Sequence, residues 1–158
     1  ARQENTYLVY VRAKGYIYKD TLIHIPNAAA KLTYTIPLSA LQKEMVLQLR
    51  NIQFDHNSSV LTPSSYAELD KLVKLMQDNP SMQIELSAHT DDVGSEQYNM
   101  RLSQQRGESV RKYLIRKGVD AKRIIAKGYG KNKPLVPNDS DENRAINRRV
   151  EFTINEIE

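Results

Sequence analysis

The hydrophobic pattern after Glu44 switches repeatedly between the two-residue period of a strand and the longer period of a helix. Alternating apolar residues predict four strands, near residues 45–54, 82–88, 123–129 and 150–154. Apolar residues three or four apart predict two helices, from Thr62-Pro63 to Asn79-Pro80 and from Ser95 to Lys117. The order β-α-β-α-β-β favours an α+β fold, a two-layer sandwich with the helices on one face of a mixed sheet.

Two details of this pattern predict irregular backbone. The apolar alternation changes parity at Arg50-Asn51, so a bulge or a break between two strands is expected there. The segment from Gly130 to Glu142 is polar, and it predicts a loop before the last strand.

The first 44 residues carry strand signals and little helix signal. Runs rich in Tyr, Ile, Val and Thr predict three strands, Thr6 to Val11, Tyr16 to Ile25 and Leu32 to Ile36. Through its Tyr-Leu-Val-Tyr-Val and Gly15-Tyr16 pattern, this part resembles the end of a carboxypeptidase-regulatory-like β-sandwich domain. We therefore predict a β-rich segment at 1–44, either the end of such a sandwich or strands that pack on the next domain, and a second domain at 45–158.

Arg106 places a charge on the apolar face of the second predicted helix, which it shares with Leu102 and Val110. A guanidinium taken out of water costs several kcal/mol unless it is paired and hydrogen-bonded. Asp91 is the candidate partner, because it lies in the loop that leads directly into this helix. The helix start adds free backbone N–H groups and a positive dipole end. One small region thus offers an acid, a base and an anion-binding helix end, a combination that suits a zwitterion.

A purely structural interpretation of the same residues stays open. Asp91 could close an Asx turn, and Arg106 could reach an internal ion pair from the flank of the helix.

Short motifs follow one another in a fixed order between Ile52 and Ile154. They are Phe54-Asp55, Leu61-Thr62-Pro63, His89-Thr90-Asp91 with Gly94, Tyr98-Asn99, Leu102-Ser103 with Arg106, and Asn147-Arg148-Arg149-Val150-Glu151-Phe152. In these motifs the chain resembles the OmpA-like C-terminal domain, the peptidoglycan-associating module also found in peptidoglycan-associated lipoproteins and flagellar stator proteins. Two positions depart from the family pattern, Ala88 where glycine is usual and Gly107 where alanine is usual. Neither change removes a ligand-contacting group.

The resemblance implies a ligand and two residues that clamp it. The family's aspartate and arginine align with Asp91 and Arg106, and they clamp the diaminopimelate side chain of the peptidoglycan stem peptide. That side chain ends in a carbon bearing both an ammonium and a carboxylate. Asp91 would take the ammonium, and Arg106 would form a planar pair with the carboxylate.

The resemblance also implies a set of supporting residues. By analogy Phe54 and Asp55 line the pocket, Leu102 forms its apolar wall, and Asn99 orients the loop or donates a hydrogen bond. Thr90 belongs to the same loop as Asp91. Arg148 precedes the last strand, where it would brace that loop or contact the ligand. Phe54 and Leu102 fit the hydrophobic core equally well.

Other classes of function have weaker support in the sequence. A net charge of +4 with interspersed acids and bases does not match a nucleic-acid-binding profile. The chain has no cysteine, and His24, His56 and His89 lie too far apart in sequence for a recognisable metal motif, so we expect neither metal nor cofactor. A glycosidase could use a distant carboxylate pair such as Asp55 and Asp91, but the arginine favours recognition over bond cleavage.

The sequence thus predicts noncatalytic binding of peptidoglycan that anchors an outer-membrane-associated protein to the wall, in the periplasm of a Gram-negative bacterium. The alternative is a protein-interaction module of an envelope complex, with Asp91 and Arg106 as a structural ion pair and a basic patch at 131–133 and 147–149. The sequence contains no signal peptide and no apolar run of eighteen residues. We therefore expect a fragment of a longer protein, with membrane association only through parts outside this chain.

Overall fold

A computed structural model describes residues 5–25, 31–55 and 57–158 of the chain. The chain forms two compact units, Ala1–Leu41 and Gln42–Glu158. The predicted domain boundary after residue 44 and the sandwich origin of the first segment stay predictions. None of the helices in the described ranges combines the length and the apolarity that a membrane span requires.

The first unit contains an antiparallel pair of strands, β1 (Asn5–Val11) and β2 (Lys19–Ile25). Both were predicted, although β2 begins later than expected. The third predicted strand, Leu32 to Ile36, is wrong, because this segment has no regular secondary structure. Leu32 and Tyr34 of this segment line a cavity together with residues of β1 and β2, and Tyr34 donates a hydrogen bond to the His24 carbonyl at 2.6 Å. Strand propensity reflects how well a side chain packs on a sheet surface. Residues with high strand propensity can therefore lie beside a sheet without forming backbone hydrogen bonds to it.

The second unit is the predicted α+β sandwich. Its elements in chain order are β3 (Val46–Leu49), α1 (Tyr66–Asp78), β4 (Gln83–His89), α2 (Glu96–Arg116), β5 (Ile124–Gly130), α3 (Asp141–Asn147) and β6 (Val150–Glu156). The sheet order is β3-β6-β4-β5, with β4 and β5 parallel and the other pairs antiparallel. The mixed sheet expected from the sequence is therefore confirmed.

The core of this unit lies between the sheet and the two long helices. On β4, Ile84 and Leu86 are fully buried, whereas Gln83 is exposed and Glu85 is half-buried, as the predicted alternation requires. Helix α2 packs on β4 and β5 and supplies a set of buried apolar side chains, Leu102, Val110, Tyr113 and Leu114. This packing fixes the start of α2 beside the end of β4.

The irregular segments differ in how well they were predicted. Strand β3 ends at Leu49, and Asn51 adopts a left-handed backbone with φ +57°, so the predicted break is present. The predicted loop from Gly130 to Glu142 ends earlier than expected, because α3 begins at Asp141. Ser140 caps this helix by accepting a hydrogen bond from the Asn143 N–H at 3.1 Å.

Candidate functional site

A cavity of about 900 Å³ opens where β4 ends and α2 begins. The segment after β3 and the end of α3 complete its walls. The cavity is lined by all eight residues that the sequence pointed to, Phe54, Asp55, Thr90, Asp91, Asn99, Leu102, Arg106 and Arg148. These residues come from four separate segments of the chain, which only the tertiary fold brings together.

The Asp91 carboxylate uses both of its oxygens. Its Oδ1 accepts a hydrogen bond from the Val93 N–H at 3.1 Å, which closes an Asx turn. Its Oδ2 accepts from Nη1 of Arg148 at 2.6 Å in a charge-assisted hydrogen bond. The side chain of Asp91 is 13% exposed and that of Arg148 is 46% exposed. Asp91 is therefore held in place by the loop and by Arg148, not by an ion pair with Arg106.

Arg106 is half-buried and contacts the segment that follows β3. Its Nε donates a hydrogen bond to the Ser58 carbonyl at 3.0 Å, and its guanidinium lies 4.9 Å from the centre of the Phe54 ring. Burial lowers the pKa of Arg106, whereas Tyr98 and Asp91 act in the opposite direction. Within the described part of the chain, no carboxylate lies within 4.0 Å of this guanidinium. The guanidinium is thus held in place by Ser58 and Phe54, but no carboxylate in the described part of the chain pairs directly with its positive charge.

Three further side chains shape the loop and the wall. Asn99 is buried, and its Nδ2 donates to the Val93 carbonyl at 2.9 Å, so it orients the loop. Thr90 is also buried, and its hydroxyl donates to the Asp91 carbonyl at 2.9 Å. Leu102 is 8% exposed and belongs both to the core and to the cavity wall.

The loop reaches this geometry through local backbone rules. Gly94 has φ +94°, a conformation that side-chain-bearing residues rarely adopt. Ser95 then caps α2 by accepting a hydrogen bond from the Tyr98 N–H at 3.1 Å. The chain therefore turns from β4 into α2 within a few residues, and the first turn of α2 faces the cavity.

His89 also lines the cavity, although no role in ligand binding was predicted for it from the sequence. The residue is 3% exposed, and its ring stacks on Tyr129 with 5.3 Å between the ring centres. Among the described residues neither ring nitrogen has a hydrogen-bond partner, and Oε2 of Glu151 lies 3.5 Å from Nε2. Burial and the positive charge of Arg149 lower the pKa of His89 to about 4, against a smaller opposing effect of Glu151. The imidazole is therefore neutral at pH 7.

Tyr98 and Ala145 line the cavity and were not assigned to the site from the sequence. Tyr98 was visible in the Tyr98-Asn99 motif, but nothing in the pattern indicated which way its ring would lie. Ala145 belongs to α3, which was not predicted.

The groups that could bind a ligand in this cavity are charged side chains, not metal ligands. In the part of the chain that the structure describes, no group of three or more His, Cys, Asp or Glu side chains could hold a metal ion. His56, one of the three histidines weighed in the sequence, lies outside the described residues. The Asp91 carboxylate and the half-buried Arg106 guanidinium lie in the same cavity. Together they can bind a group that carries both an ammonium and a carboxylate.

The sequence profile of the OmpA family matches residues 53–148, which include every cavity-lining residue except Ile52, Arg149 and Val150. The chain belongs to the OmpA family.

Individual proteins show the same relationship. Outer membrane porin F of Pseudomonas fluorescens is 38% identical over 104 residues, covering 66% of this chain and 32% of the porin. A MotB-like protein from Desulfovibrio vulgaris has a similar structure, with a TM-score of 0.64 and 34% identity over 72% of this chain and 73% of that one. The peptidoglycan-associated lipoprotein of Burkholderia pseudomallei has a TM-score of 0.60 and 28% identity over 69% of this chain and 88% of that one. The chain thus spans about a third of the length of the porin F relative.

Proposed function

We propose that this protein binds peptidoglycan without cleaving it, and that its cavity holds the diaminopimelate side chain of the stem peptide. The observation that carries the proposal is the combination, in one cavity, of a positioned carboxylate on Asp91 and the Arg106 guanidinium, whose charge no described carboxylate neutralises directly. The structural similarity to a peptidoglycan-associated lipoprotein supports the same class of ligand.

Diaminopimelate fits these charges because its side chain ends in an ammonium and a carboxylate on one carbon. Arg106 offers the carboxylate a planar set of N–H donors, of which Nε already bonds to Ser58. Asp91 offers the ammonium an oxygen that Arg148 contacts in the structure, so the ligand ammonium would share or take over this contact. Asp55, Asn99 and Leu102 would complete the pocket around the aliphatic part.

In the cell this binding would tether a longer, outer-membrane-associated protein to the wall from the periplasm of a Gram-negative bacterium. The outer-membrane and lipoprotein relatives support this location. Envelope proteins are further proposed partners. We also propose that the first segment is the end of a carboxypeptidase-regulatory-like domain, a proposal supported by the antiparallel β1–β2 pair.

Calorimetric titration with a soluble stem peptide containing diaminopimelate tests the proposal. Asp91→Ala and Arg106→Ala should each weaken binding by roughly 10- to 100-fold, because a hydrogen bond to a charged group contributes about 1.5–3 kcal/mol. Sedimentation with purified peptidoglycan should show the same losses. Arg101→Ala removes an exposed arginine from the same helix and should leave the affinity unchanged. Full binding by both cavity variants, with circular dichroism confirming their folds, would refute the clamp.

A further inference from the structure

Two arginines, Arg144 in helix α3 and Arg148 directly after its last residue, contact two adjacent carboxylates. Arg148 donates to Asp91, and Nε of Arg144 donates to Oδ1 of Asp92 at 3.0 Å. The Arg148 N–H donates a hydrogen bond to the Arg144 carbonyl at 3.0 Å, so both arginines start from the end of α3. Loop 90–95, the connection between β4 and α2, is therefore held by α3 at two successive residues.

The Arg144 guanidinium joins three segments of the chain. Besides Asp92, it donates to the Asn138 carbonyl at 2.8 Å and to Oδ1 of Asp141 at 3.3 Å. Its side chain is 28% exposed, compared with 46% for Asp92 and 98% for Asp141. Asp92 and Asn138 are thus less exposed to solvent than Asp141. Arg144 therefore mainly connects the Asp91 loop to the segment before α3.

Helix α3 is anchored well enough to serve as a support. A helix of seven residues is not stable alone. Asn147 at its end is fully buried, however, and both its side-chain oxygen and its side-chain nitrogen make hydrogen bonds. Its Oδ1 accepts from the Leu135 and Val136 N–H groups at 2.8 and 3.2 Å, and its Nδ2 donates to the Val136 carbonyl at 2.8 Å. Arg144, in α3, and Arg148, next to Asn147, are therefore attached to a fixed part of the backbone.

Neither Arg144 nor Asp92 lines the cavity, whereas the neighbouring Ala145, Arg148 and Asp91 do. Loss of the Arg144–Asp92 pair would remove no group that faces a ligand. The carboxylate of Asp91 would then be held by its Asx turn and by the partly exposed Arg148.

We infer that Arg144 is a positioning residue for ligand binding, which acts by holding Asp92 and thereby fixing the Asp91 loop against α3. This inference rests on the proposed function, because the loop matters for binding only if Asp91 contacts the ligand. Arg144 sets the direction of the Asp91 carboxylate without touching the ligand itself.

The test compares Arg144→Ala, Asp92→Ala and the double variant by titration of the full chain with the diaminopimelate-containing stem peptide. An exposed ion pair contributes up to about 1 kcal/mol, so each single variant should bind about two- to fivefold more weakly. The double variant should bind no more weakly than either single one, because the two residues act through one contact. Arg144→Lys should recover part of the loss.

Lys43→Ala is the matched control. It removes another exposed ion pair, Lys43 with Glu156 at 2.8 Å, which lies at the end of β6 opposite the cavity. This variant should bind like the parent. Losses that add up in the double variant, or single variants that bind like the parent, would overturn the inference.

A second readout needs no ligand. The Val93 N–H donates to Asp91, so its amide resonance and its hydrogen exchange report directly on the loop. Arg144→Ala should shift this resonance and accelerate its exchange, while the amides of β4 and β6 stay unchanged. An unaltered Val93 amide would overturn the inference even if the parent protein did not bind the peptide. Absence of parent binding together with a shifted Val93 amide would refute the proposed function and retain the loop support.

Discussion

Three arginines line the cavity, and their surroundings give them different roles. Arg149 is buried, pairs with Glu151 at 2.6 Å and donates to the Lys133 carbonyl at 3.1 Å, so it is part of the framework. Arg148 neutralises Asp91. Arg106 has a backbone carbonyl and an aromatic face as its described partners, and neither carries a compensating charge. Arg106 is therefore the arginine best prepared to accept an anion.

The preference between two related stem peptides tests this role of Arg106. Lysine lacks the terminal carboxylate of diaminopimelate, so the parent protein should bind the lysine-containing peptide roughly tenfold or more weakly. In Arg106→Gln the two peptides should bind about equally, because the group that distinguishes them is gone. Parallel titrations measure the ratio. Equal affinities in the parent would place recognition elsewhere, and an unchanged preference in the variant would assign it to another residue.

His89 predicts how stability depends on pH. Its pKa is lowered to about 4 in the folded chain, below its ordinary value of 6.5. Between these values the unfolded chain binds more protons, so the free energy of unfolding should fall as the pH drops from about 6.5 to 4, by at most roughly 3 kcal/mol. Urea unfolding across this range measures the slope, which should be smaller in His89→Gln. Equal slopes would show that other groups cause the dependence.

The sequence predicted the residues of the cavity better than their pairing. Asp91, Arg106 and Arg148 were all expected at one site, because the motifs that carry them keep a recognisable order. Which arginine would pair with Asp91 could not be predicted, because Arg148 lies 57 positions away and reaches Asp91 only through the placement of α3. A motif fixes residue types along the chain, whereas an ion pair depends on angles set by the rest of the fold.

At the scale of elements, the contact between α2 and β5 places the helix that carries Arg106. A Cβ added to Gly128 of β5 would overlap the Gln104 backbone nitrogen, so helix and strand are in direct backbone contact there. Gln104 strengthens the contact, since its side chain accepts from the Gly128 N–H at 2.8 Å and donates to the Ala126 carbonyl at 3.1 Å. The position of α2 thus depends on a strand residue without a side chain.

Two glycine substitutions on this interface should have opposite effects. Gly128→Ala would push α2 away from the sheet and should lower the free energy of unfolding by about 1–3 kcal/mol or more. Gly107→Ala would meet only ordinary contacts, the nearest being the Ala126 Cβ at 3.5 Å, and should raise it by roughly 0.5–1 kcal/mol through helix propensity. Urea denaturation with unchanged m-values measures both. A destabilised Gly107→Ala or a tolerated Gly128→Ala would contradict the packing.

The elements that were predicted correctly from the sequence are those in which the spacing of apolar residues matches the period of a strand or a helix. Burial alternates over Gln83–Leu86 of β4, although the rest of that strand is buried throughout, and the buried residues of α2 follow the helical period over its 21 residues. Helix α3 was missed because its seven residues are mostly polar and its stability comes from Asn147 and the cap at Ser140. For Leu32 to Ile36 a strand was predicted and is not formed. The segment has strand-forming residues, but it pairs with no strand in the described part of the chain.

At the scale of the whole molecule, every residue of the cavity belongs to the second unit. The buried core that supports the cavity is also drawn from that unit, from β4, α2 and β6. The first unit is a two-stranded sheet with exposed apolar side chains such as Leu8 and Leu22, and such a sheet is marginally stable by itself.

Removal of residues 1–41 should therefore preserve binding. The fragment 42–158 should bind the diaminopimelate-containing peptide within about twofold of the full chain, since it keeps every cavity residue. Titration of both proteins tests this, and circular dichroism should show that the fragment retains a cooperative thermal transition. A fragment that folds but binds much more weakly would reveal a contribution of the first unit to the site.

The direction of β3 determines how the second unit would carry mechanical tension. Val46 pairs with Thr153 and Leu49 pairs with Val150, and Val150 lines the cavity, so the upstream chain enters at the far end of the sheet. A pull between Gln42 and a ligand in the cavity would run along β3 and slide it lengthwise against β6. Such sliding loads the hydrogen bonds of the ladder together, whereas a pull across the sheet would break them one after another.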